Sequence, residues 1–159
     1  MVLYAAIVGL FVIMGAIVYY ASLDNPELEQ VEIKLSNVEL IDVNSIENQA
    51  EIETTFLVKN PSEKTFTVTI ISYELYANNK LIGTGKYSTE DIAMPGRAAF
   101  YPGSEIPLKS IFKLVLSDAN AQEYLSITKG ESVKYSVKGF ITAESAWSLV
   151  EKEFQSYME

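Results

Sequence analysis

The side chains in this chain that could do chemistry are carboxylates, lysines, tyrosines and hydroxyls, because the sequence has no histidine and no cysteine. Lack of histidine removes the commonest general base and metal ligand at neutral pH. Lack of cysteine removes disulfides and thiol nucleophiles together. Glu51 and Glu53 lie two apart, a spacing that puts two carboxylates on one face of a strand, and they read as a solvated face rather than an acid/base couple. Asp118-Ala119-Asn120-Ala121-Gln122 imitates the opening of an EF-hand calcium loop. The imitation ends there, because Glu123 takes the glycine position and Lys129 the place of the bidentate glutamate. GxSxG, Walker and HExxH patterns are absent from the sequence. Gly83-Thr84-Gly85 is too short for a dinucleotide fingerprint and lies inside a strand pattern, so these read as strand or bulge glycines. The expectation is a protein that is not an enzyme, with no catalytic residues, cofactor, metal or small-molecule substrate.

What must position the remaining side chains is an anchor and a body. The first charged residue is Asp24, so residues 1–23 form one uncharged stretch. About 20 apolar residues cross a bilayer core as a helix, and Tyr4, Tyr19 and Tyr20 stand near the two ends, where aromatic rings sit at headgroup level. No Lys or Arg precedes the run, and a cut after Ala21 or Ser22 would leave a tyrosine at position −3, so an uncleaved signal-anchor is expected rather than a cleavable signal peptide. Ala5 and Gly9 form a small-xxx-small pair of the kind that packs helices together. The terminal amine on one side, against Asp24, Glu27, Glu29 and Glu32 on the other, favours a cell-membrane protein with its C-terminal domain outside. Residues 24–30, DNPELEQ, read as a short acidic tether reaching roughly 23 Å at most. A cation or a basic partner could bind its carboxylates, but a solvated tether is the plainer reading.

All 12 basic and 21 acidic residues follow the anchor, so the net charge of −9 belongs to residues 24–159. With Arg97 the single arginine and no basic cluster, nucleic-acid binding lacks its electrostatic footprint, and anionic headgroups would not attract this surface. Asn60-Pro61-Ser62 has the proline that forbids N-glycosylation, so that signal says nothing of topology.

From Val31 to the end the pattern is of strands. In QAEIETTFLVK the even positions Ala50, Ile52, Thr54, Phe56 and Val58 alternate with polar ones, the signature of a half-buried antiparallel strand. Phe66, Val68 and Ile70 keep an even phase while Tyr73, Leu75 and Ala77 are odd, which predicts a bulge at Ile70-Ile71. The first strand slips phase near Ser36-Asn37. Asn78-Asn79 suits a tight hairpin, Pro95-Gly96 and Pro102-Gly103 are turn pairs, and DANAQEYLS predicts one or two helical turns capped by Asp118. Asn60-Pro61 predicts a type I turn that closes one strand and opens the next. About seven strands with turns at intervals of roughly ten residues indicate an all-β, antiparallel two-sheet sandwich over residues 31–159. In AESAWSLVEKEFQSYME, Trp147, Val150 and Phe154 fit a short terminal helix, while Val150, Lys152 and Phe154 fit a final strand. Phe100 and Tyr101, beside a Pro-Gly turn, and the single Trp147 are candidate partner contacts. The plainer alternative puts one of the first two in the core, and Trp147 in the core or docking the terminus.

FLVKNPSEKTFTVTIISYELYANNKLIGTG resembles the centre of the WHy domain (water stress and hypersensitive response) of group 2 late embryogenesis abundant proteins. An apolar strand ending in Asn60-Pro61 is followed by a strand with Tyr73 and Leu75, a polar turn at Asn78-Asn79-Lys80, and a glycine-bearing return strand, Leu81 to Gly85. The later IAMPGRAAFYPGSEIPLKSIFKL, with Pro107 near a strand start, is similar to the family's second half. The resemblance covers about residues 31 to 142 and is to the membrane-anchored prokaryotic, archaeal type. It implies a sandwich like fibronectin type III and immunoglobulin-like domains, a role in stress or desiccation tolerance through protection of proteins or membranes, and a structural role for Asn60 and Pro61. It also favours a closing strand after Ala143. The sequence thus describes a single-pass membrane protein acting by surface contact. The alternative is an accessory subunit whose anchor packs against other membrane-protein subunits.

Overall fold

The computed structural model describes residues 2–90 and 96–158. Helix α1, Val2–Ser22, is uniformly apolar and has no buried face, and it is long and apolar enough to cross a membrane. Its 21 residues rise about 31 Å, close to the thickness of a bilayer's hydrocarbon core. Residues 24–30 are not a free tether. Pro26 opens a helical turn, α2 (Asn25–Leu28), and Leu28 and Val31 are fully buried against the body.

The body is two antiparallel sheets. One has the order β1-β2-β6, from β1 (Glu32–Asn44), β2 (Gln49–Lys59) and β6 (Glu105–Val115). The other has the order β4-β3-β7-β8, from β3 (Phe66–Ala77), β4 (Lys80–Ser88), β7 (Tyr135–Glu144) and β8 (Leu149–Tyr157), with the two-residue β5 (Ala99–Phe100) paired to β3. Alternation makes each inner face: Ile52, Phe56 and Val58 from β2 and Leu108, Phe112 and Leu114 from β6 meet Ile71, Tyr73, Leu75, Val137 and Ile141. Phe56 and Tyr73 pack edge to face, with centroids 4.8 Å apart. Full burial of each such side chain is worth about 1.5–3 kcal/mol relative to exposure.

The expected irregularities are present, with one displaced. Register slips between Leu35 and Asn37 in β1, as the sequence pattern requires, and slips again between Leu40 and Asp42. In β3 it slips between Val68 and Ile70. Thr69 is therefore the extra residue, Ile70 turns away from the core, and the bulge falls one position earlier than expected. Asn78 and Asn79 take φ of 51° and 68°, the left-handed pair that a two-residue hairpin needs. Pro102-Gly103 is a turn, with φ of 76° at Gly103; Pro95 lies outside the described residues.

One expectation changes, and one open alternative closes. Asp118 does not cap a helix. Helix α3 (Ala121–Thr128) begins after Asn120, whose carboxamide ties back instead, accepting from Ser117 N at 2.8 Å and donating to Val115 O at 3.0 Å. The tail is a strand, not a helix. β8 pairs with β7 along its whole length, and its inner positions reach across to β1 and the residue before it: Lys152 Nζ donates to Val31 O at 2.7 Å, and Leu35 N donates to Ser156 Oγ at 2.9 Å. Phe154 packs edge to face on Phe56 at 6.0 Å. β7 offers an unpaired edge, and the tail satisfies it.

Strand direction sorts the loops. The end of α1, the β2–β3 loop, the β5–β6 turn and the β7–β8 turn share one end of the sandwich. The β1–β2 turn, Asn78-Asn79 and α3 share the other.

Candidate functional site

Asn60 directly follows β2, and its side chain is fully buried. Its amide donates to Lys64 O and Phe100 O, both at 2.8 Å, and its carbonyl oxygen accepts from Ser62 N at 3.0 Å and Ser62 Oγ at 2.8 Å. Its backbone is paired as well, through Asn60 N to Ser104 O and Gly103 N to Asn60 O. Both donors and both lone pairs are used. Residues 62–64 form a bend, and the carboxamide closes it as an Asx turn, accepting from Ser62 N. Pro61 follows where no backbone donor is called for. Asn60 fastens the β2–β3 loop to the β5–β6 turn and has no capacity left for a ligand.

Of the three candidate contacts, Phe100 must be withdrawn. It is 0% exposed and stacks on Phe66 with centroids 5.4 Å apart, because its place on β5 opposite Phe66 turns it inward. Tyr101 and Trp147 are 65% and 71% exposed, on different loops at the α1 end.

Glu51, Glu53 and Glu123 each pair with a lysine. Glu53 and Glu51 face Lys109 at 2.8 Å and Lys113 at 3.5 Å across the β2–β6 pair, and the Glu53 carboxylate holds the Lys109 ammonium above its usual range. Glu123 pairs with Lys80 at 2.9 Å, and this bond lowers its carboxyl. Among the described residues no three potential metal ligands converge.

Inside the sandwich, a polar bridge joins the sheets. The Tyr73 hydroxyl lies 2.6 Å from Thr54 Oγ1 and donates to Ser110 Oγ at 3.1 Å, while Ser110 Oγ donates to Lys86 O at 3.2 Å. Burial pushes the Tyr73 phenol up, partly offset by the Ser110 and Thr54 hydrogen bonds. Gly85 lies opposite Tyr73 in β4, and Gly83 follows a register slip, so the glycines are strand and bulge residues as expected.

A feature that sequence reasoning missed lies on the outer face of the larger sheet. A groove of about 810 Å³ crosses β4, β3, β7 and β8, floored by the Gly85, Tyr73, Gly139 and Phe154 row. One wall carries Lys86, Ser72, Phe140 and Glu153; the other carries Thr84, Glu74, Lys138 and Gln155. Two ammonium and two carboxylate groups balance, and Phe140 adds one half-exposed ring. Next to it, Tyr76 donates to Glu74 Oε2 at 2.5 Å and lies under Lys138 Nζ at 5.7 Å; the bond to Glu74 raises its phenol. Chemically the groove offers hydrogen bonds, balanced charge and an apolar contact. Its eight wall residues come from four strands, so only the register reveals it.

The class defined is a two-sheet antiparallel β-sandwich carried on one N-terminal apolar helix. No family model matches the chain and no curated protein matches it. Comparison with solved structures gives likenesses of graded strength. A solution structure of an Arabidopsis thaliana protein is 15% identical, with a TM-score of 0.54, over 80% of this chain and 80% of that one. A crystal structure of a protein from Archaeoglobus fulgidus is 19% identical, with a TM-score of 0.48, over 79% of this chain and 94% of that one. A solution structure of a protein described as late embryogenesis abundant is 14% identical, with a TM-score of 0.46, over 97% of this chain and 88% of that one. At these identities the Arabidopsis thaliana likeness speaks for the fold alone, and the other two carry no argument.

Proposed function

We propose that this is a single-pass membrane protein presenting a WHy-like sandwich outside the cell membrane, acting without catalysis by surface contact to protect proteins or membranes under water stress. The observation that carries the proposal is the pairing of an unburied, membrane-length α1 with a closed sandwich whose nearest segment, α2, is docked rather than loose. The WHy resemblance supports the stress role: its Asn-Pro signature coincides with Asn60, the residue that fastens two loops. The groove beside Phe140 is the contact surface best suited to a protein client.

Protease added to intact cells is expected to digest the sandwich; resistance would overturn the orientation. Purified protein is expected to preserve a drying-sensitive reporter enzyme better than an equal mass of an unrelated acidic protein. Equal preservation would remove the protective role. Ala5 and Gly9 on the free face of α1 favour one second reading, an accessory subunit. A stable partner co-purifying in mild detergent would select it.

A further inference from the structure

We infer that the α1 end of the sandwich is a bilayer-contact face, with Trp147 seated in the phospholipid headgroup layer of the membrane that α1 crosses. The inference rests on the anchor reading above and deepens it.

The level of Trp147 follows from its neighbours. Tyr20, Leu23, Asp24, Lys64 and Trp147 enclose a small cavity of about 150 Å³. Helix α1 is about as long as the hydrocarbon core is thick, so Tyr20 and Leu23 lie at its boundary, and the indole beside them lies there too. Trp147 is nonetheless 71% exposed. A large apolar ring with one N–H donor, left open at that depth, is the side chain that partitions to the membrane–water interface. Tyr101, exposed on the β5–β6 turn, belongs to the same end.

The body is not free to swing away. Lys64 Nζ pairs with Asp24 at 3.4 Å, and Ser145 Oγ donates to Asp24 Oδ2 at 3.3 Å. Ser148 Oγ bonds Asn25 Oδ1, Glu63 N donates to Glu27 Oε2 at 3.3 Å, and Leu28 is buried. Both flanking loops are thus clasped to the first residues after α1. Asp24 is occupied by Lys64 and Ser145, so the carboxylate nearest the lipid is compensated. This suits a zwitterionic surface despite the net charge of −9.

Trp147 is the one tryptophan of the sequence, so its emission reports this contact in the full chain reconstituted into phosphatidylcholine nanodiscs. Blue-shifted emission, strong quenching by lipids brominated high on the acyl chain, and iodide access several-fold below that of free tryptophan amide are expected. With Trp147→Phe and Ile46→Trp combined, the reporter moves to the far-end β1–β2 turn, where Ile46 is 95% exposed. Iodide should then quench freely and brominated lipid should not. Free iodide access to Trp147 in a disc-bound chain, or equal lipid quenching at both positions, overturns the inference and leaves the anchor standing. A chain that fails to co-elute with the discs overturns the anchor, and this inference with it.

Discussion

Tyr73 lays its ring against Gly85 so closely that a Cβ on the glycine would lie 2.3 Å from the ring carbon Cζ. The ring cannot withdraw without leaving Thr54 and Ser110. Gly85→Ala is therefore expected to destabilise the sandwich by about 1–3 kcal/mol, the usual cost of overpacking. Urea unfolding of the detergent-solubilised chain measures it, and an unchanged midpoint would show that the ring moves freely.

The same contact has a pH signature. Burial raises the Tyr73 phenol in the folded chain above its usual value of 10.0. A group raised on folding gives stability that is complete below the unfolded value and lost as pH rises through the folded one. Alkaline unfolding should therefore begin above pH 10, and Tyr73→Phe should lower neutral stability by about 1 kcal/mol while flattening the alkaline slope. Thermal melts from pH 8 upward, read by circular dichroism, check both.

Asn60→Ala leaves Lys64 O and Phe100 O without their donors in a buried site. The expected cost is about 1–3 kcal/mol. Asn60→Asp should cost more, since both carbonyls would then face acceptor oxygens. Equal stability of all three chains by urea titration would refute the fastening role.

Glu123 gives the opposite pH sign. Its hydrogen bond to Lys80 lowers the folded carboxyl below the usual 4.5, so its stabilisation is present above that value and lost as pH falls through the folded one. Glu123→Gln should be less stable than the parent at neutral pH, and the difference should vanish on acidification. A gap that persists to the lowest pH would assign the effect to packing instead.

Val12 lies midway along α1. Val12→Arg puts a charge at the bilayer centre, at a cost of about 2.5–3.5 kcal/mol on insertion scales. The parent chain should stay with membranes through alkaline carbonate extraction, and the variant should be depleted from them. Equal retention of both would argue against a spanning helix.

The sequence by itself determined the elements whose physics is local. An uncharged stretch of membrane length must form a helix away from water, and period-two alternation commits β2, β3, β6 and β7 to an inner and an outer face. Asn78-Asn79 dictates a hairpin because few other residue pairs take positive φ cheaply. Tertiary structure decided whatever depended on a distant partner. Phe100 is in the core because β5 lies opposite Phe66, while its neighbour Tyr101 is left outside. The tail from Leu149 had two competing periodicities, and the open edge of β7 selected the strand. The Asn60 side chain carries its meaning in a bond to Phe100, 40 positions away, and the groove exists only where four strands come into register. Local patterning fixes which face a side chain takes; which other side chains it meets there is set by long-range pairing.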